Sequence, residues 1–93
     1  MYSPTNLDLI IEQFPNEEFL VIDHCNDAII GVDITDMRIV YSSLKIIEIL
    51  MQDMTEEEAI EYFEFNLANA YVGEKTPLFV YVPADNYRNS ISN

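Results

Sequence analysis

The chain has 93 residues, 17 of them acidic and four basic, for a formal net charge of −13 at pH 7. With 49% hydrophobic and 12% aromatic residues, it is not a disordered acidic tail. Its charge argues against direct binding to nucleic acid or to an anionic membrane surface and favours basic protein partners.

At this length there is room for one domain, residues 1–93, with limited burial and modest stability. Thr5 to Phe14 places Leu7, Ile10, Ile11 and Phe14 at helical spacing. Thr5 or Asn6 caps that helix, Asp8 sits in its first turn, and Pro15 ends it. Glu18 to Ile22 is rich in Phe, Leu, Val and Ile and is short enough to be either a strand or a buried segment. Asp23 to Asp27 is a polar loop. Ala28 to Ile34 and Arg38 to Tyr41 are strands of a hairpin joined at Thr35-Asp36-Met37, with Gly31 marking a bulge or a close backbone approach.

Ser42 or Ser43 caps a second helix that runs to about Gln52, with Ile46, Ile47, Leu50 and Met51 on its apolar side. Thr55 and Glu58 form a capping box for a third, with Glu56 and Glu57 in the first turn. Its apolar face is read as Ile60, Phe63, Leu67, Ala70 and Tyr71, and its stop as Gly73. Leu78 to Val82 is the last strand, ended by Pro83, and residues 84–93 are a polar, frayed tail. The expected fold class is α+β: a small antiparallel sheet, hairpin plus C-terminal strand, with two to three helices on one face.

Few residues invite catalysis. His24 and Cys25 are unique in the chain and adjacent, but neighbours on an extended segment point apart, which is awkward for a nucleophile and its base. Asp23, His24, Cys25 and Asp27 match no zinc spacing. Glu57, Glu61 and Glu64 fall at i, i+4 and i+7 on one helical stripe, which as a catalytic or cation-binding set would need an apolar cleft. They lie opposite the apolar face and read as solvated. Only two glycines occur, so there is no phosphate-cradling loop. Arg38, Lys45, Lys75 and Arg88 are too few and dispersed for a nucleic-acid groove. The expectation is no catalytic residues, no metal and no cofactor. The single cysteine precludes an internal disulfide, and the start MYSPTNLDL shows neither a basic leader nor a long apolar run, which points to a cytoplasmic setting.

Tyr62 and Phe65 lie off the main apolar face. They widen a buried stripe, pack on its flank, or form an aromatic anchor within an acidic rim. Tyr41, Tyr71, Tyr81 and Tyr87 are further candidates for such a surface. Carboxylates one helical turn apart are about 6 Å apart, close to the phosphate spacing of a nucleic-acid strand, so Glu56 to Glu64 can imitate a phosphate row. Simple solubility is the competing account of the charge.

The strings DAIIGVD (27–33), RIVYS (38–42), IIEILMQDMTEEEAIEYFEFN (46–66) and AYVGEKTPLF (70–79) resemble a family of small, largely uncharacterised proteins of tailed phages and prophages. The resemblance implies a phage setting and the α+β fold, and it carries no active site. It draws attention to Asn66 to Gly73 with Glu74 and Thr76, although helix termination and turn chemistry account for that stretch. By analogy with acidic phage proteins, the expected function is an anti-defence inhibitor, of anti-CRISPR or anti-restriction type, in the host cytoplasm. Its partner is a basic host protein such as a nuclease, CRISPR effector or polymerase, without direct contact to nucleic acid or membrane. Glu57, Glu61 and Glu64 supply the electrostatic contacts, and Tyr62 and Phe65 the anchors. The alternative is a structural or assembly homo-oligomer, such as a homodimer, joined through the sheet edge at Leu78 to Val82.

Overall fold

The computed structural model describes residues 3–84. The first helix, α1 (Asn6–Gln13), starts at the capping box of Thr5 and Asp8. The Asp8 N–H donates to Thr5 Oγ1 at 3.1 Å, and the Thr5 N–H donates to Asp8 Oδ2 at 3.0 Å. Thr5 is thus the cap, and Asn6 instead ties α1 to the sheet, its Nδ2 donating to the Ile29 carbonyl at 2.8 Å.

Three strands follow in spatial order: β1 (Ile29–Asp33), β2 (Arg38–Ser42) and β3 (Leu78–Val80). The β1–β2 hairpin is antiparallel and its register slips between Ile29 and Gly31. That bulge explains how Ile29 and Val32, an odd number of residues apart, both reach the core, since Ile29 pairs with Tyr41 and Val32 with Ile39. A Cβ at Gly31 would meet nothing within 4 Å, so the glycine marks a bulge and not a close approach. The hairpin loop closes with Asp33 Oδ1 accepting the Thr35 N–H at 3.1 Å and with Met37 at a positive φ of 56°.

The fold is α+β, but β3 runs parallel to β2, with Val40, Tyr41 and Ser42 opposite Leu78, Phe79 and Val80. The sheet is therefore mixed and not wholly antiparallel. The connection between β2 and β3 is not a hairpin. It is a helical excursion over residues 43–77 that carries the chain from the end of β2 back to the end where β2 begins. β3 stops at Val80, two residues before the end read from the sequence. Glu18 to Ile22 forms neither strand nor helix. Its Ile22 N–H donates to the Tyr41 hydroxyl at 2.7 Å instead of to a neighbouring strand.

Strand β2 passes directly into α2 (Ser43–Leu50), with Ser42 serving as both the last strand residue and the helix cap. Ser42 Oγ accepts the Lys45 N–H at 3.3 Å. The third helix, α3 (Glu56–Tyr62), opens at the Thr55–Glu58 capping box as expected. It then changes to a π-helical turn over Phe63–Leu67 and ends there, well before Gly73. The buried positions are Ala59 and Phe63, while Ile60 is 38% exposed. Ala70 and Tyr71 lie beyond the helix and are exposed. Gly73, at φ 112°, forms a turn in which its carbonyl accepts both the N–H (3.2 Å) and the hydroxyl (2.6 Å) of Thr76.

One core unites these elements. Ile10 of α1, Ile46 of α2 and Phe63 pack with Ile29, Ile39 and Tyr41 of the sheet. Phe79 stacks on Tyr41 (ring centroids 5.8 Å apart) and meets Phe63 edge-on at 5.2 Å. Apart from Ala84, the tail at 84–93, with Tyr87 and Arg88, lies outside the described residues.

Candidate protein-docking face

The charge is concentrated along one part of the chain. From Ile46 to Glu74 there is no Lys, Arg or His, while six carboxylates fall between Asp53 and Glu64. Each of those six residues is exposed. Three of the four basic residues lie within the described part, and two of these are engaged by the chain itself. Arg38 Nε donates to the Thr76 carbonyl at 2.6 Å. Lys75 Nζ bridges Glu17 at 3.2 Å and the Asp36 carbonyl at 3.1 Å. Neither offsets the negative field of α3.

The expected contact residues are all on the surface. Glu57, Glu61 and Glu64 are exposed, Tyr62 is 43% exposed and Phe65 is 82% exposed. Phe65 therefore lies outside any wider buried stripe, whereas Tyr62, less than half exposed, lines a cleft with Ile49, Leu50 and Leu67 as flank packing would have it. Phe65 lies two residues beyond the buried Phe63 in the π turn, and two helical steps carry a side chain roughly half a turn around the axis. Glu61, Tyr62 and Phe65 share a shallow depression of about 340 Å³ with Glu58, Met54 and Asn66. Glu57 and Glu64 are exposed but lie outside it. Glu58 was legible only as a capping residue, and its Oε1 does accept the Thr55 N–H at 2.9 Å. Its additional place on this face follows from the tertiary fold.

Tyr62 also lines a second, larger cleft of about 530 Å³. This one includes His24 and Cys25 together with residues at the end of α2. His24 is exposed and holds a left-handed backbone, φ 68°, in a turn closed by the Cys25 N–H to the Ile22 carbonyl at 3.2 Å. Cys25 turns inward, is 3% exposed and belongs to the core. Burial pushes its thiol pKa up, which keeps it protonated and weakens it as a nucleophile. Burial also pushes the Tyr41 phenol up, opposed by the Ile22 hydrogen bond and reinforced by Cys25. Tyr41 is fully buried, so it leaves the set of possible surface aromatics, while Tyr71 and Tyr81 remain exposed at 77% and 61%.

Among the described residues, no three His, Cys, Asp or Glu side chains converge as metal ligands. No helix among them is long and apolar enough to cross a membrane. A third recess of about 320 Å³ is apolar, lined by Leu20, Val21, Leu67, Val72, Pro77 and Phe79 beside β3. No protein-family model, curated protein or solved structure matches the chain.

Proposed function

We propose that this protein is a non-enzymatic, phage-type inhibitor of host nucleic-acid-handling machinery, acting in the host cytoplasm by docking its α3 face on a basic groove. The observation that carries this reading is the pairing of charge with exposed aromatic surface. Six exposed carboxylates fall between Asp53 and Glu64, two of them, Glu58 and Glu61, share a depression with the part-exposed Tyr62, and Phe65 follows immediately. Carboxylates alone would steer encounter and solubilise the chain. A phenyl ring 82% exposed adds nothing to solubility and is the kind of anchor that gives an interface its affinity.

The decisive experiment measures inhibition of a panel comprising a CRISPR effector, a restriction nuclease and a polymerase, each at graded salt. Wild-type protein inhibits at least one of them stoichiometrically, and inhibition weakens as salt rises. The E57K/E61K/E64K variant slows association by about tenfold or more at low salt and flattens the salt response. A charge-matched reversal at Glu12, Glu18 and Glu48 leaves inhibition largely intact. Full inhibition by the α3 variant with an unchanged salt response refutes the reading.

A homo-oligomer is the second reading. It is favoured by the edge position of β3 and by the apolar recess beside it. It requires two copies, each of charge −13, to associate, so a dimer formed this way strengthens as salt rises. Mass by size exclusion at low and high salt separates it from a monomeric inhibitor.

A further inference from the structure

The cleft beside Tyr62 has a lining of two characters. Ile22, Ile49, Leu50 and Leu67 are half-buried and pack against the core, forming an apolar floor. Asp23 and Asp53 are exposed and stand at the rim. Among the described residues neither carboxylate has an ion-pair partner, no Lys or Arg lines the cleft, and the exposed His24 is the one basic side chain in its lining. An anion would meet two like charges there. A wholly apolar ligand would leave both carboxylates unused. The complementary occupant has an apolar stem and a positive head.

We propose that this cleft is a socket for an arginine side chain of the partner. The three methylenes of arginine lie on the apolar floor while the guanidinium faces Asp23 and Asp53. Arginine is preferred to lysine because its planar, weakly hydrated head stacks on an aromatic face and presents a fixed fork of donors to carboxylates. Tyr62 supplies that face. Tyr62 lines both this cleft and the depression around Phe65, so an arginine seated in the socket belongs to the same footprint as the α3 contacts. The inference rests on the docking function proposed for α3 and specifies which partner side chain the face selects. It brings Asp23 and Asp53, which lie outside the helical stripe, into the proposed interface.

The test needs no partner. The 93-residue, ¹⁵N-labelled chain is titrated with n-butylguanidinium, n-butylammonium and n-butylurea, and amide shifts are followed. Butylguanidinium binds with a dissociation constant in the roughly millimolar range, as suits so small a fragment, and moves the amides of residues 22–25 and 52–54. Each of the single variants D23N and D53N weakens it about two- to fivefold. Equal binding of the neutral urea, equal binding of the ammonium, or shifts confined to other segments overturns the socket. A chain that ignores the guanidinium yet loses inhibition on reversal of Glu57, Glu61 and Glu64 removes the socket and keeps the docking reading. A chain that binds the guanidinium selectively and inhibits nothing keeps the cation site and removes that class of partner.

Discussion

Replacing Tyr41 with phenylalanine deletes one oxygen from the centre of the molecule. The tyrosine is fully buried, and its hydroxyl accepts the Ile22 N–H at 2.7 Å. Phenylalanine preserves the ring, its stacking on Phe79 and its place in the sheet, so no packing is lost beyond the hydroxyl itself. The Ile22 N–H, however, loses its acceptor. A buried donor left unpaired costs about 1–3 kcal/mol, and because Ile22 is only half-buried the lower part of that range applies, about 1–2 kcal/mol. For a chain of this size each kcal/mol moves the melting temperature by about 4–8 °C, which gives a drop of roughly 4–16 °C. The loss is also local. Ile22 opens the turn that carries His24 and closes at Cys25, so hydrogen exchange at the Ile22 and Cys25 amides accelerates more than at β2. Urea unfolding read alongside residue-resolved exchange checks both parts. An unchanged urea midpoint together with wild-type protection at Ile22 refutes the claim that this hydroxyl holds the 18–22 segment on the sheet.

Phe65→Ala removes a side chain that is 82% exposed; stability stays within about 0.5 kcal/mol of wild type, whereas inhibition in the nuclease panel falls at least tenfold if Phe65 is an anchor. Ser42→Ala strips the cap from α2 and costs about 1 kcal/mol, measured by urea denaturation. His24→Gly relieves a left-handed backbone at an exposed position and raises the urea midpoint, with a gain of up to about 1 kcal/mol. Alkaline pH destabilises the fold. Burial raises Cys25 above its ordinary 9.0 and Tyr41 above its ordinary 10.0, so the unfolded chain releases these protons first. Their contribution is intact below about pH 9 and is lost as pH climbs through and beyond those values. The urea midpoint is therefore flat up to about pH 9 and declines above it, and Cys25→Ala delays the start of the decline.

Local chemistry made the boundaries legible where one residue could determine them. Thr5 with Asp8, Thr55 with Glu58, and Ser42 each provide the side-chain oxygen that a helix start requires, and all three starts lie where those residues stand. Gly31 stands at the bulge, although its backbone has no positive φ and a Cβ there would meet nothing. The direction of β3 was not legible, because LFVYV has the same apolar pattern whether its partner runs with it or against it. Glu18 to Ile22 stayed open between a strand and a buried segment because strand propensity reports a surface that fits a pleat, not the presence of a neighbour. The neighbour here is a tyrosine hydroxyl from β2, which no periodicity encodes. The cleft at His24 joins residues 22–25 to residues 49–54, 62 and 67, and only the folded chain brings these segments together.

The end of α3 shows how far a local pattern can go. Ile60, Phe63, Leu67, Ala70 and Tyr71 form an acceptable face for a straight helix continuing to Gly73. The chain instead buries Ala59 and Phe63 and turns into a π segment, where the Ala68 N–H reaches the Phe63 carbonyl at 2.8 Å. A π turn shifts every later side chain away from its α-helical bearing. Phe63 must meet Phe79 edge-on to close the core at β3, and that fixes the inward side of the turn. Phe65, two residues on, is then directed outward by the same geometry that seats Phe63. The core and the proposed anchor are thus one structural decision. Deleting Glu64, which takes the extra residue out of the π turn, moves Phe65 off the acidic face as surely as it disturbs the core. Phe65→Ala separates the two effects, because it removes the outward ring and leaves the Phe63–Phe79 contact in place.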